Sequence, residues 1–518
     1  MFDLTITGGM VLDGTGAPAI RADVGITGDR IAAVGELGTA EAKTVLNAGG
    51  LIVCPGFIDT HSHSDAYLLI EPSAPSKVFQ GVTTEVVGNC GASAAPRLGV
   101  ARMASDWEPF TYPGAWKTLG EYRRLLEQVK PAVNVVPLVG HNTLRASVMG
   151  YAGRTATSEE LASMVRLLEE SLDEGGRGLS SGLIYPPGMY ATREEIHTLA
   201  AVAGRKHCIY TSHMRSESSR LIEALEETIG VGRETGVRIQ VSHLKTSGKA
   251  NWHLLDSALE TIERARRDGV EVAADRYPYI SSCTDLDVIF PDWATEGGRD
   301  AELARLRDSA TRARLRDELL ENRSERSWGS ITIGSTSAAN SRFRGMPLEQ
   351  VAGSLGMTPV DAALFLIESD NLATSAFFQG MSEDNLWRIL AQPWVMIGSD
   401  ASCRAPWGPL SHDFPHPRAY GTFPRVLRAA LDGKTVGLPE AVRKMTLLPA
   451  TQYRLKSRGG MNVGGFADIA VFNPLTIRDL ATFSDPHRVS EGISHVVVNG
   501  VPVIQDGRLT GRRSGQWL

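Results

Sequence analysis

Cysteine is scarce in this chain, and long runs of apolar or basic residues are missing. The 518 residues include only five cysteines, at scattered positions. An odd and sparse set does not form the disulfide framework of a small secreted protein. No segment approaches the ~20 consecutive apolar residues of a membrane-spanning helix. The first residues, MFDLTITGGMVLDGTG, lack the basic segment and apolar stretch of a secretory signal. We therefore expect a cytoplasmic protein.

The charge balance restricts the classes of partner. Lysine and arginine total 53 residues, and aspartate and glutamate total 59, which gives a formal net charge of −6. Because no basic run is present, neither nucleic acid nor an anionic membrane is expected as a partner. The sequence leaves the oligomeric state open.

Both ends of the chain have the pattern of short β-strands joined by tight turns. The first residues alternate apolar and polar side chains around Gly and Asp-Gly turns, and HVVVNGVPVIQDGRLTG near the other end does the same. A few short strands alone would leave a face and two edges unburied. The two ends are therefore predicted to pair into one small β-domain, a composite β-sandwich formed by residues 1–53 and 458–518.

The middle of the chain, residues 54–457, alternates apolar strand-like runs with amphipathic helical segments. Repeated strand–helix alternation, about eight times, predicts an α/β fold, namely a (β/α)8 TIM barrel. Residues 284–345 interrupt this rhythm with an Arg-rich stretch. This segment is predicted to be an insertion after the seventh strand, and its pattern fits either a lid or an elaborate loop.

Polar side chains follow five of the predicted strands, on the barrel face where active sites form. A single histidine or cysteine at a strand end is more often structural than functional. Histidines two residues apart on a strand point to the same side, so both imidazoles can bind one metal ion. The joint pattern predicts a metal centre with six candidate ligands: His61 and His63 after strand one, Cys90 after strand two, His213 after strand five, His243 after strand six and Asp400 after strand eight.

The ligand types indicate the metal and the chemistry. Imidazole, thiolate and carboxylate together suit zinc, with iron and manganese as weaker candidates. Zinc lowers the pKa of bound water towards ~7 and polarises a carbonyl group. The Asp400 carboxylate can accept the proton of that water and return it to a leaving nitrogen. Asp400 is therefore predicted to act as the general base and then as the general acid.

These residues resemble those of a known family. His61-x-His63 after a Pro-Gly-Phe-Ile-Asp segment, with His213, His243 and Asp400, is similar to the pattern of the amidohydrolase superfamily. Six further runs resemble the D-aminoacylase (N-acyl-D-amino-acid deacylase) branch: GVTTEVVGNCG (81–91), GLSSGLIYPPG (178–188), SHMRSES (212–218), VSHLK (241–245), DRYPYISS (275–282) and HPRAYGTFPRVL (416–427). The resemblance spans nearly the whole chain and implies the barrel, the composite β-sandwich and the insertion.

The resemblance also implies the reaction and the metal arrangement. It implies zinc-dependent hydrolysis of the amide bond of an N-acyl-D-amino acid, a small-molecule substrate. It implies one tightly held zinc ion on Cys90, His213 and His243. His61, His63 and Asp400 would then form a second, weaker site, which Cys90 could bridge.

The substrate-binding residues follow from the same resemblance. Arg418 matches the family position that holds the substrate carboxylate, and guanidinium is the natural bidentate partner of that group. The loop from Asp400 to Arg418 is longer than in the family, and its Arg404 is an alternative carboxylate ligand. Four further residues lie in matched motifs and are predicted to line the pocket, with simple packing as the alternative for Tyr279: Tyr185, Lys245, Tyr279 and Ser282.

Two other functions fit parts of the pattern. A cyclic-amide hydrolase of the hydantoinase or dihydroorotase type, or a deaminase, would use the same metal chemistry on the same scaffold. A non-catalytic assembly protein is the second alternative, although such relatives have lost metal ligands that are all present here. The sequence does not determine the acyl group or the D-residue of the substrate.

Overall fold

Eight parallel strands form a closed ring at the centre of the protein. The structure is a computed structural model and describes residues 1–38, 41–103, 106–322 and 325–518. The ring closes between strands eight and one through a parallel bridge from Ser62 to Ala401. In chain order the barrel strands are Phe57–Asp59, Val82–Val87, Asn134–Pro137 with its continuation Val139–Gly140, Gly178–Gly182, Ile209–His213, Arg238–Val241, Val272–Arg276 and Val395–Ile397. The predicted TIM barrel is confirmed.

The barrel strands and helices follow from their sequence patterns. Strand two is buried at every position, as expected for a parallel strand covered on both faces. The helix Ser158–Asp173 begins with a capping box between Thr157 and Glu160 and buries an apolar face. The helices of the barrel layer are Pro75–Val78, Leu119–Val129, His141–Met149, Ser158–Asp173, Arg193–Arg205, Leu221–Thr235, Leu255–Arg267, Glu383–Ala391, Arg418–Leu431, Leu438–Met445 and Leu447–Gln452.

Strands from both ends of the chain form one nine-stranded sheet. Ile469–Phe472 pairs antiparallel with Ile52–Pro55 and so joins the two ends of the chain. The strand Ile52–Pro55 runs two residues past the predicted limit at residue 53, because its pairing continues until the first barrel strand begins. The other members are Phe2–Val11, Ile20–Thr27, Arg30–Gly35, Ala42–Asn47, Ile493–Val498, Val501–Gln505 and Arg508–Leu509.

The segment between barrel strands seven and eight folds around its own small sheet and core. Ser375–Gln379 lies between Ser281–Asp285 and Ile331–Ile333 and pairs antiparallel with both. The inserted unit therefore extends to Gln379, beyond the predicted limit at residue 345, because its central strand comes last in the sequence. Its helices are Asp292–Thr295, Arg299–Arg307, Ser309–Asn322, Glu325–Trp328, Leu348–Leu355 and Pro359–Ser369.

Among the described residues, no single helix has both the length and the apolar composition needed to cross a membrane. Leu348–Leu355 and Pro359–Ser369 meet those criteria only as a pair, and they are bent by 88° relative to each other.

The interior of the barrel is packed below the ends of the strands. Apolar side chains from four strands meet there and contact Tyr453, whose hydroxyl donates a hydrogen bond to the Thr60 carbonyl (3.2 Å). The strand residues in this layer are Ile58, Val86, Val136, Leu138 and Ile209. The barrel is therefore a filled core with its polar side chains at the carboxyl ends of the strands.

Candidate active site

The six predicted ligands lie together at the carboxyl ends of the barrel strands. One group consists of His61, His63, Cys90 and Asp400, and the other of Cys90, His213 and His243. Within each group one potential ligand atom per residue lies within 4.8 Å of the others. The Cys90 sulfur belongs to both groups and lies 3.2 Å from Nε2 of His61 and 3.5 Å from Nε2 of His243.

Three of these residues occupy the left-handed region of backbone space, which non-glycine residues rarely adopt. The φ angles are 53° at Cys90, 37° at His243 and 51° at Asp400. Such strain is characteristic of functional sites, where the surrounding structure holds it in place. The Asp400 amide donates to the His61 carbonyl (2.8 Å), which ties the turn after strand eight to the end of strand one.

The Cys90 turn is fixed by a buried carboxylate. Asp65 accepts hydrogen bonds from the amides of Gly88 (3.0 Å) and Ala94 (3.1 Å), on either side of Cys90. A β-carbon added to Gly88, where φ is 78°, would lie 2.4 Å from the Leu138 carbonyl oxygen. The chain therefore needs glycine there to turn from strand two towards the metal-ligand candidates.

Carboxylates that the sequence analysis did not select orient two of the histidines. Asp275 Oδ1 lies 3.1 Å from Nδ1 of His61 and accepts the amide of His243 (2.9 Å). Glu217 Oε1 lies 2.8 Å from Nδ1 of His243. Such partners leave Nε2 free for a metal ion. Both lie in the quoted runs DRYPYISS and SHMRSES, so a search for carboxylates near the candidate ligands could have identified them.

The donor set fits a divalent cation. Neither ring nitrogen of the buried His213 has a hydrogen-bond partner among the described residues. Buried polar atoms are normally satisfied, so these nitrogens indicate a missing ligand. Thiolate with two imidazoles, and two imidazoles with a carboxylate, are ligand combinations that zinc accepts.

The surroundings of two acidic groups in this site favour their ionised forms. Burial opposes ionisation of the Cys90 thiol, but the charges of His61 and His243 lower its pKa well below that of an ordinary thiol. Burial likewise opposes ionisation of Asp400, but Arg418 and the histidines hold its pKa well below the usual range. A thiolate and a carboxylate close together favour a bound cation.

A buried ion cluster lies behind the ends of strands one and eight. Lys77 Nζ lies 2.8 Å from Asp59 Oδ2 and 3.0 Å from Glu85 Oε1, and all three side chains are fully buried. It also donates to Ser399 Oγ (3.0 Å) and to the Ala401 carbonyl (2.9 Å). Lys77 therefore ties the residues on both sides of Asp400 to strands one and two. Sequence reasoning missed this lysine, because nothing in its local pattern indicates burial.

A cavity of about 740 Å3 opens beside the group that contains His63 and Asp400. His63, Asp400 and Arg418 are in its wall. Arg418, which begins the helix Arg418–Leu431, forms an ion pair between Nη1 and Asp400 Oδ2 (2.8 Å). Its guanidinium also lies 4.5 Å from the ring centroid of Tyr277. Of the five residues predicted to bind substrate, Arg418 is the one that lies in this cavity wall.

The other four predicted substrate-binding residues lie outside this cavity wall. The Tyr185 ring lies 5.0 Å from that of His213, and Lys245 contacts Glu217 (2.5 Å). The Tyr279 hydroxyl donates to Asp479 (3.3 Å) and its ring packs against His416 (5.2 Å), which are the contacts of the packing alternative. Ser282 lies opposite Phe378 in the small sheet.

Arg404, the alternative carboxylate ligand, also lies in the cavity wall. Its Nε lies 2.5 Å from Asp413 Oδ2. Each of the two arginines therefore has a carboxylate partner in the protein: Arg404 has Asp413, a residue of the loop, and Arg418 has Asp400, a candidate metal ligand.

We predict that Lys77→Met weakens one metal site selectively. It leaves two buried carboxylates without their cation, which should cost about 3–5 kcal/mol of folding free energy. Because Lys77 contacts the Asp400 turn and strand one, zinc affinity should fall more than tenfold at His61, His63 and Asp400. The Cys90, His213 and His243 group should keep its zinc. Zinc titration followed by calorimetry measures both affinities.

Arg145→Met is the matched control. Arg145 is equally buried and pairs with Glu195 (2.5 Å) away from both groups. It should lower stability without changing either zinc affinity. Equal loss of zinc in both variants would show that Lys77 acts only through global stability.

The comparisons with known proteins agree with this geometry. The sequence model of the amidohydrolase family matches residues 44–504. The chain is 38% identical to the D-aminoacylase of Alcaligenes xylosoxydans xylosoxydans, over 100% of this chain and 97% of that protein. It is 37% identical to the N-acyl-D-glutamate deacylase of the same organism, over 97% and 93% of the two chains.

A solved structure shows the same similarity in three dimensions. The N-acyl-D-glutamate deacylase of Bordetella bronchiseptica, crystallised with zinc and a phosphonate inhibitor, superposes with a TM-score of 0.85 at 36% identity. The alignment covers 100% of this chain and 99% of that chain. The chain therefore belongs to the amidohydrolase family, in the branch that contains the D-aminoacylases.

Proposed function

We propose that the protein is a zinc-dependent deacylase that hydrolyses the amide bond of N-acyl-D-amino acids. The products are a carboxylic acid and a free D-amino acid. One observation carries the proposal: two metal-ligand groups share Cys90, and His63 and Asp400 of one group line a cavity together with Arg418, which contacts Asp400. The similarity to D-aminoacylase and to the zinc-containing N-acyl-D-glutamate deacylase supports it.

The two ligand groups differ in what they offer zinc. Cys90, His213 and His243 provide three nitrogen and sulfur donors, the number typical of a catalytic zinc site. We assign the tight site to them. The other group contains His61, His63 and Asp400 and has only Cys90 in common with the tight site. We assign a second, weaker site to this group. When bound, zinc polarises the scissile carbonyl and lowers the pKa of water in the site.

The protein residues then have separate tasks. Asp400 accepts the proton of the attacking water and delivers it to the leaving nitrogen. It is available as a proton acceptor because Arg418 and the histidines hold its pKa well below the usual range and so keep it unprotonated, and its Oδ1 lies 3.1 Å from Nε2 of His63. Arg418 binds the α-carboxylate of the substrate through its planar guanidinium. Because Arg418 contacts Asp400, a substrate carboxylate on Arg418 lies next to the proton-transfer group.

We predict that Cys90→Ala abolishes zinc binding at the tight site. A site reduced to two protein ligands falls below the minimum for catalytic zinc, so activity should fall to background. Metal analysis and turnover of N-acetyl-D-amino acids measure the two effects. The matched control is Cys54→Ala, which removes an equally buried thiol from the terminal sheet and should keep full zinc content. Full zinc and full turnover in Cys90→Ala would contradict the ligand assignment.

We predict that Asp400→Asn separates chemistry from metal binding. The amide keeps the shape of the side chain but cannot accept the proton. The value of kcat should fall by a factor of roughly 10² or more, the usual scale for a general base. Zinc should stay bound to Cys90, His213 and His243. A kcat equal to that of the unmodified enzyme would remove Asp400 from the mechanism.

We predict strong preference for D over L substrates, and we expect this preference to depend on Arg418. With the carboxylate on Arg418 and the carbonyl at the metal, the L side chain would point where the D substrate has its hydrogen. A displacement of ~1 Å can cost about a hundredfold in rate. Arg418→Ala should mainly raise KM, because the carboxylate contact exists in both ground and transition states.

Substrates without the carboxylate are the control for Arg418. The corresponding amino-acid amides should lose less than the acids when Arg418 is replaced. Equal loss on both would indicate a structural role for Arg418. A screen with N-acetyl D- and L-amino acids and with hydantoin, in added zinc, tests the reaction class. Turnover of hydantoin alone would replace this proposal by cyclic-amide hydrolysis.

A further inference from the structure

The outer part of the cavity determines what the enzyme can accept beyond the scissile amide. The cavity extends from His63, Asp400 and Arg418 to the loop 401–417 and to Ser335–Ala338 of the insertion. Its volume of about 740 Å3 is in the upper part of the range of small-molecule sites. A substrate held at Arg418 therefore extends its side chain or its acyl group into this outer part.

Arg404 brings a positive charge to this outer wall, but the charge is already neutralised. Its Nε lies 2.5 Å from Asp413 Oδ2, and its side chain is only 12% exposed. The guanidinium lies 4.2 Å from the ring centroid of Tyr67 and donates to the Cys403 carbonyl (3.0 Å). Arg404 is therefore held by protein groups on several sides and has its counter-ion in place.

Asp413 is held in place as firmly as its partner. Its Oδ1 lies 3.2 Å from Nε2 of His487, which reaches the loop from the C-terminal part of the chain. The amide of the next residue, Phe414, donates to Ser335 Oγ in the insertion (2.9 Å). The loop is thus attached on two sides, and a rotation of the Asp413 side chain away from Arg404 would also move its carboxylate away from His487.

The other charges of the outer wall do not favour an anion either. Arg344 donates three of its five N–H groups to Thr336 and to the His412 carbonyl. Two further carboxylates, Asp106 and Asp285, line the same cavity. Outside the reaction centre the wall therefore carries three aspartates and two arginines.

We propose that Asp413, by neutralising Arg404, makes this enzyme select N-acyl-D-amino acids with uncharged side chains over those of D-glutamate and D-aspartate. The inference rests on the proposed function. A protein named D-aminoacylase and one named N-acyl-D-glutamate deacylase are 38% and 37% identical to this chain, so sequence identity does not decide the side chain of the substrate. In this proposal the charges of the cavity wall decide which side chain is accepted.

The physical reason is the cost of burying a second carboxylate. A charged group that moves from water to a cavity wall without a partner loses part of its hydration, and no ion pair or hydrogen bond compensates for the loss. To bind Arg404 the substrate would have to displace Asp413, which would leave a protein carboxylate buried and unpaired. An uncharged side chain neither loses the hydration of a charge nor displaces Asp413.

The test compares N-acetyl-D-glutamine with N-acetyl-D-glutamate, which have nearly the same shape and differ in charge. In the zinc-loaded enzyme kcat/KM should be at least tenfold higher for the glutamine derivative. In Asp413→Asn this ratio should fall at least tenfold, through a gain on the glutamate derivative. An unmodified enzyme that hydrolyses the glutamate derivative equally well or better overturns the inference, whether or not the variant folds.

Two further variants show whether the effect belongs to Arg404. Asp285→Asn makes the same substitution at another carboxyl group of the cavity wall, one that has no ion pair with Arg404. It should shift the ratio less than threefold, and a shift equal to that of Asp413→Asn would overturn the role of Asp413. Combining Asp413→Asn with Arg404→Met should abolish the gain, and a persistent gain would overturn the role of Arg404.

The two proposals fail in different ways. A preference for N-acetyl-D-glutamate leaves the deacylase function intact and overturns only the selectivity. If the zinc-loaded enzyme hydrolyses neither compound nor any other N-acetyl-D-amino acid, the proposed function is wrong and the selectivity is wrong with it.

Discussion

Two anionic groups, the Cys90 thiolate and the Asp400 carboxylate, are buried close together at the mouth of the barrel, and the surrounding structure depends on this charge. Buried anions are costly unless cations and hydrogen-bond donors compensate them. Histidines surround both groups, Arg418 forms an ion pair with the carboxylate, and the ligand geometry has room for a metal ion. Lys77 compensates a second buried pair of carboxylates directly behind this site. The left-handed backbone at Cys90 and Asp400 is maintained because these contacts over-determine it.

The candidate metal ligands and the residues of the proposed selectivity lie in different parts of the molecule. The candidate ligands are on the ends of the barrel strands, which hydrogen-bonded neighbours fix on both sides. The outer cavity wall comes from the loop 401–417 and from the insertion, which contact each other through Arg344 and Phe414. Loops on a rigid scaffold can change without disturbing the reaction centre. This separation explains how deacylases with different substrates share one barrel.

Arg418 connects these two parts. It lies at the start of a helix whose side chains are mostly buried, and its guanidinium is between Asp400, the Tyr277 ring and the Cys283 carbonyl. In the proposed reaction the same guanidinium binds the substrate carboxylate. Recognition of that carboxylate is therefore coupled to the position of the proton-transfer group, because both contact one side chain.

The sequence by itself predicted the barrel and the six candidate ligands, because these depend on local periodicity and on parallel strands that all end at one face, and the family followed from the resemblance of its motifs. Histidines two residues apart, and polar residues directly after apolar runs, predict the candidate ligands even when the loop conformations are unknown. The tertiary structure alone decided that Cys90 is shared by two groups, that Asp275 and Glu217 orient the histidines and that the insertion extends to Gln379. It alone showed that Tyr279 faces Asp479 and that Arg404 is paired with Asp413. These contacts join residues of separate loops and elements, and their geometry depends on how those parts pack together, which local sequence patterns do not encode.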